Sequence, residues 1–152
     1  MRKIAIFLFA AVGVFLVDKG LKNIFLAGFD WQSKCISLEL HLNKGVAFSM
    51  LSFLGENLKW VQIALVGVLI ALVAKEGWFK KYPLSLGLVA GGAIGNLYDR
   101  FNHGAVVDYV YWHCGFDFAV FNLADVMIDL GIGLIILQEF LEWKRAKKEA
   151  KE

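Results

Sequence analysis

The strongest constraint on this chain is a set of apolar runs long enough to cross a bilayer. Residues 4 to 17 carry no charge, and after Asp18 and Lys19 the apolar character resumes through Phe25 and Leu26. About 23 residues at about 1.5 Å each match a hydrocarbon core about 30 Å thick. Comparable segments return at residues 58–74, 84–100 and 121–141. The reading is an all-α membrane protein with four transmembrane helices, forming one integral domain over residues 1–152. A basic start before an apolar run also opens a secretory signal peptide, but no small-x-small cleavage pattern follows the first segment. Composition agrees with a lipid solvent: 59% of residues are hydrophobic, against about 45 to 50% apolar residues in soluble domains. The net charge of +2 is too small to suggest a nucleic-acid partner.

Between the first two spans the chain is mixed. Ile36, Leu38, Leu40 and Leu42 alternate with polar residues, the period of a half-buried strand, and Gly45 then offers a turn. The third span opens at Pro83, suited to a first helical turn, and carries Gly87, Gly91 and Gly95 four apart, a spacing that lets membrane helices approach closely. Residues 101–120 read as an outer loop whose Tyr109, Tyr111 and Trp112 are of the kind enriched at the membrane interface. Lys and Arg place the termini: two stand at the N-terminus, three in the loop after the second span and five in the tail. The positive-inside rule then puts both termini and that loop in the cytoplasm, and the acidic segment outside.

Charge at the ends of such spans is costly, so it is usually functional. Asn96, Asp99 and Arg100 share one helical face near the outer end of the third span, with Asp99 and Arg100 free to choose different partners. An interfacial arginine with its counter-charge explains them equally well. Asn122 and Asp125 repeat the spacing at the start of the fourth span. A second carboxyl beside Asp125 would let the two share a proton, one as acid and one as base. Asp108 is a candidate that tertiary folding would have to bring in. Asp129, one turn below Asp125, is the rival, or else a buried structural group. Asp18 and Lys22 are four apart and can form an ion pair.

Other chemistries lack their sequence signals. There is no HExxH, no phosphate-cradling loop ending in Gly-Lys-Ser/Thr and no GxSxG. His41, His103 and His113 are scattered rather than spaced as metal ligands. Cys35 and Cys114 both fall outside by this topology, where a disulfide is permitted and nothing in the sequence says whether they meet.

Taken in order, an Asp and Lys near the end of the first span (Asp18, Lys22), LNKGVAFS (Asn43, Gly45, Ala47, Phe48), GGAIGNLYDR, GAVVDY and FNLAD cover nearly the whole chain. Together they resemble the lipoprotein signal peptidase (signal peptidase II) family of membrane aspartyl peptidases. That resemblance implies a catalytic pair at Asp108 and Asp125. It implies supporting or substrate-binding roles for Asp18, Lys22, Asn43, Gly45, Asn96, Asp99, Arg100, Asn122 and Ala124. It also implies a small extracytoplasmic β-cradle at about residues 34–50, no metal and no cofactor. The expected partners are a prolipoprotein signal peptide with its diacylglyceryl-Cys and membrane lipid, with the enzyme a monomer in the bacterial cytoplasmic (inner) membrane. Val126 stands where many relatives have Ser, Leu42 replaces an aromatic or Thr, and Asp129 belongs to no family motif. A proton-coupled transporter and a non-catalytic assembly protein are the competing classes, since intramembrane acids and glycine-spaced helices serve both.

Overall fold

The computed structural model describes residues 1–45, 50–116 and 118–150. Four long helices dominate: α1 (Arg2–Leu26), α2 (Leu58–Lys75), α4 (Pro83–His103) and α5 (Leu123–Glu149), with a short α3 (Trp78–Lys81) before α4. Three strands, β1 (Trp31–Gln32), β2 (Ile36–Asn43) and β3 (Val106–Trp112), form an antiparallel sheet in the order β1-β2-β3. A 3₁₀ segment, Ser52–Asn57, leads into α2.

Two helical stretches, Arg2–Leu26 and Ser52–Lys75, are long and apolar enough to cross a membrane, with mean hydropathies of 2.1 and 1.9. The other two expected spans are helical over 21 and 27 residues. They are more polar because α4 carries Asn96, Asp99 and Arg100, and α5 runs from Asp125 and Asp129 into a charged tail.

Missing side chains let α4 sit close to two partners. A Cβ on Gly91 would lie 2.6 Å from the Ala11 carbonyl oxygen and 2.8 Å from the Val14 Cβ, so α1 packs directly on its backbone. Gly87 and Gly95 face α1 in the same way, and Gly92 faces Ala124 and Ile128 of α5. Small residues at four-residue spacing thus act as expected, making α4 the central helix. Close approach is what brings the polar residues of α1, α4 and α5 within hydrogen-bonding range of one another.

The sheet departs from the sequence reading in three ways. First, the 101–120 segment is not a loop throughout. α4 continues to His103, Gly104 turns the chain at φ 69°, and Val106–Trp112 forms β3. Its β-branched and aromatic residues fit a pleated, half-buried surface. Second, Tyr109 is not an interfacial anchor: it is 5% exposed and stacks on Phe25 with ring centroids 4.3 Å apart. Third, the alternation in β2 is inverted, with Ser37 buried while Leu40 and Leu42 are exposed. Polar side chains of β2 turn inward because the neighbouring strand presents Asp108: His41 pairs with Asp108 in register, and Asn43 reaches it by hydrogen bond. A register shift between Leu38 and His41 kinks the strand there.

Cys35 and Cys114 form a disulfide that joins the start of β2 to the end of β3. Beside it the His113 amide donates to the Cys35 carbonyl at 2.9 Å, and the Ser37 hydroxyl lies 3.0 Å from the His113 ring. The far end of the β2–β3 pair is therefore closed covalently, while its near end is held by polar bonds to the helices.

Candidate active site

α5 begins at Asn122, whose extended backbone and short amide make it an N-cap. Its side-chain oxygen accepts from the Asp125 amide at 3.0 Å, and the Asp125 carboxylate accepts from the Asn122 amide at 3.2 Å. This capping box fixes Asp125 at the first turn of α5. The Asn122 side-chain nitrogen donates to Asp108 Oδ1 at 2.7 Å. One fully buried asparagine thereby binds the carboxylates of α5 and β3, residues seventeen positions apart.

Each carboxylate has a further amide partner. Asn43 donates to Asp108 Oδ2 at 2.9 Å, and Asn96 donates to Asp125 Oδ1 at 2.7 Å. Both acids line one cleft of about 450 Å³, together with Arg100 and the apolar Leu58, Val61 and Ile128. The residue set is polar where β3 meets the helices and mostly apolar along α2, while α5 adds Ile128 between Asp125 and Asp129.

Behind the cleft lies a buried ion cluster. Lys22 Nζ stands 2.7 Å from both Asp18 Oδ2 and Asp99 Oδ2, and donates to Asn96 Oδ1 at 3.0 Å. Asp18 accepts from the Ala124 amide at 3.0 Å, and Asp99 from the Val107 amide at 3.1 Å. The expected Asp18–Lys22 pair is therefore present, and it is a brace joining α1, α4, β3 and α5 rather than a local helix pair. Asp99 and Arg100 do take different partners. Arg100 donates to the Gly45 carbonyl and, at 3.0 Å, to Gln62 of α2. The sequence-derived residues Asp18, Lys22, Asn43, Gly45, Asn96, Asp99, Arg100, Asp108, Asn122, Ala124 and Asp125 all fall in this connected network. Ala47 and Phe48 lie outside the described residues.

Asp129 differs from the reading of a buried acid. It is exposed on the wall of the same cleft. The sequence reading missed the roles of two residues. Gln62 is the one amide in the apolar run of α2, and a polar group in such a run is itself a signal. Tyr109 accepts the otherwise unpaired Leu123 amide at 3.0 Å, and burial pushes its hydroxyl up to about 12.

Burial raises the Asp108 carboxyl to about 6, opposed by the Asn43 bond and reinforced by the nearby Asp125 charge. A carboxyl in an unfolded chain titrates near 3.9. Between about pH 4 and 6 the folded state therefore holds more protons than the unfolded one, so stability falls as pH rises through that window. Asp108→Asn removes the titration. Its melting temperature is expected to change less than that of the wild type between pH 4 and 6, and equal slopes would contradict the assignment.

The comparisons with known proteins accord with this geometry. The family model described as signal peptidase (SPase) II matches residues 10–141, which contain every residue of the network. A lipoprotein signal peptidase of Sulfurovum sp. is 54% identical over 140 residues, covering 92% of this chain and 96% of that protein. One from Campylobacter jejuni is 48% identical, covering 92% of this chain and 89% of that protein. A solved bacterial membrane enzyme, determined by the in meso method at 2.3 Å resolution, superposes with a TM-score of 0.76 at 27% identity, covering 91% of this chain and 90% of its own. With the helical frame and nearly the whole sequence matched at once, this membrane protein belongs to the signal peptidase II family of peptidases.

Proposed function

We propose that this protein is an aspartic endopeptidase that removes the signal peptide from diacylglyceryl-modified bacterial prolipoproteins, cutting just before the lipidated cysteine. The observation that carries the proposal is the pair of carboxylates, Asp108 and Asp125, held by Asn122 on one wall of a cleft with apolar sides. A water between them is the nucleophile. One carboxylate takes its proton as oxygen attacks the scissile carbonyl, while the other, neutral, donates to the carbonyl oxygen. The tetrahedral species collapses as a proton passes to the leaving amine, and the pair returns to one shared proton. No covalent enzyme intermediate is needed.

The network around the pair explains why geometry survives each turnover. Asn43, Asn96 and Asn122 donate to the carboxylates from three different elements, so neither acid can rotate freely. Arg100 has the reach of a substrate backbone clamp. In this reading α1, α2, α4 and α5 are four spans of the inner membrane, with both termini cytoplasmic and the sheet on the outer face. The exposed Leu40 and Leu42 then offer an apolar face toward the bilayer and the substrate lipid, and the enzyme acts as a single chain.

The test uses pure protein in detergent with a lipid-modified precursor and its unmodified twin. Cleavage of the first alone, before the modified cysteine and undiminished by EDTA, is the expected result. Failure to cut the modified precursor would sink the proposal, and loss of cleavage with chelator would sink its mechanism.

A further inference from the structure

Among the described residues of α2 only Leu58, at its start, is buried. Farther along, a groove of about 400 Å³ opens between α1, α2 and α4 and shares no lining residue with the cleft of the two acids. All twelve residues that line it are apolar, among them Phe7 of α1, Val66 and Val73 of α2, and Leu86, Ala90 and Leu97 of α4. The Gln62 amide, on the cleft side, donates to the Ala93 carbonyl at 3.4 Å and stands between the two spaces.

One end of the groove is ringed by cations. Phe79 of α3 lines it there and meets Phe7 edge to face, with centroids 5.3 Å apart. Beside these rings stand Arg2 and Lys3 at the start of α1, Lys75 at the end of α2, and Lys80, whose carbonyl accepts from the Lys3 ammonium. Among the described residues no carboxylate pairs with any of the four. Lys81 differs, because Glu139 and Glu142 each lie 2.7 Å from its ammonium. Glu76 is the single acid in residues 1–7 and 75–82, so this end carries a clear excess of positive charge.

The dimensions and the charge choose the occupant. From Leu86 to Leu97 the groove follows α4 for about 16 Å, roughly half of a hydrocarbon core about 30 Å thick and therefore the depth of one leaflet. A helix about 10 Å across would take up roughly three times the available volume over that length. A slim acyl chain fits, and apolar walls exclude water from the space it leaves. Basic residues at the cytoplasmic end of such a groove select a head group with net negative charge.

We propose that the groove between α1, α2 and α4 binds an anionic phospholipid of the cytoplasmic leaflet, one acyl chain lying in the groove and the phosphate held by Lys75 and Lys80. The site goes beyond the peptidase reading: it needs the orientation argued there, not the chemistry. The lipid ties α2 to the bundle along the stretch where protein contacts are lacking, and a ligand that binds only the folded state stabilises it.

The test is native mass spectrometry of the full chain in detergent, given equal amounts of phosphatidylglycerol and phosphatidylcholine with identical acyl chains. The wild type is expected to retain one phosphatidylglycerol in preference to phosphatidylcholine by about twentyfold, roughly fivefold for each lysine. In the double variant Lys75→Gln, Lys80→Gln, which alters only exposed side chains, the ratio is expected to fall to about one. Ala90→Phe, and Val73→Phe from the opposite wall, place a ring in the groove and are expected to lose the retained lipid, with thermal unfolding checking that each is folded. Lys144→Gln with Lys147→Gln removes the same charge from the α5 tail and should leave the ratio unchanged. The inference is overturned if the wild type shows no preference, if the preference survives in the Lys75 and Lys80 variant, or if the tail variant loses it. Undiminished lipid in a folded groove variant would also overturn it, since the lipid would then be held by surface charge alone. Should both groove variants unfold, the two lysine comparisons still decide the matter.

Discussion

Asp125→Asn is expected to slow cleavage of the lipid-modified precursor by about 10³- to 10⁴-fold, and Asp108→Asn by a similar factor, with KM little changed. An amide keeps the shape of the carboxyl but cannot take a proton from water. In this site it can also keep much of the support: an Asn at 108 can still accept from Asn122 or Asn43, and an Asn at 125 can still accept in the capping box with Asn122. Each variant should therefore fold and bind. With the two acids sharing one proton cycle, as proposed, the double variant should be hardly slower than either single one, as residues acting as a unit are not additive. Single-turnover cleavage measures this directly. Near wild-type rates in both single variants would end the dyad assignment, whereas a multiplicative double effect would mean that the acids act in separate steps. Asp129→Asn belongs in the same series, and a loss as deep as that of Asp125→Asn would move the dyad to residues 125 and 129.

Much of this site was legible because membrane segments leave little room for neutral explanations. Asp18 and Lys22 announced an ion pair by spacing, and glycines 87, 91 and 95 announced a packing face; both appear as expected, though the pair serves four elements. Pairing Asp108 with Asp125 was not visible from spacing, since it depends on β3 returning along the start of α5, where Phe121 exchanges hydrogen bonds with Val110. β3 itself was hidden by its aromatics, which suit a membrane interface and a buried strand equally well. The inversion in β2 has a similar origin: period two says which residues share a face, and only the position of Asp108 says that the polar face turns inward. Whether Cys35 meets Cys114 could not be read from the sequence either, because the register of β2 on β3 sets their distance.

Lys22→Met is expected to destabilise the folded protein by about 3 to 5 kcal/mol, the usual cost of removing one partner from a buried charge group. Lys22, Asp18 and Asp99 are 2%, 0% and 4% exposed, so water cannot replace the lost ammonium. The two remaining carboxylates cannot swing away either, because each is tied to a backbone amide, Ala124 for Asp18 and Val107 for Asp99. The Asp18 side chain is further confined by Gly95, where a Cβ would come within 2.6 Å of Asp18 Oδ2. Neutralising all three positions, as Asp18→Asn, Lys22→Met and Asp99→Asn, should recover most of the stability, since each amide oxygen can still accept its backbone bond. Activity should recover less. Lys22 also binds the Asn96 oxygen, which points the Asn96 nitrogen at Asp125, and in the triple variant only the 3.1 Å bond from Asn122 keeps that amide aligned. Thermal unfolding in detergent alongside kcat separates the two effects. Recovery of stability with kcat still reduced about tenfold would assign Lys22 both a structural and a positioning role. Parallel recovery of both would leave it purely structural, and no recovery of stability would show that the cluster is held by more than its charge balance.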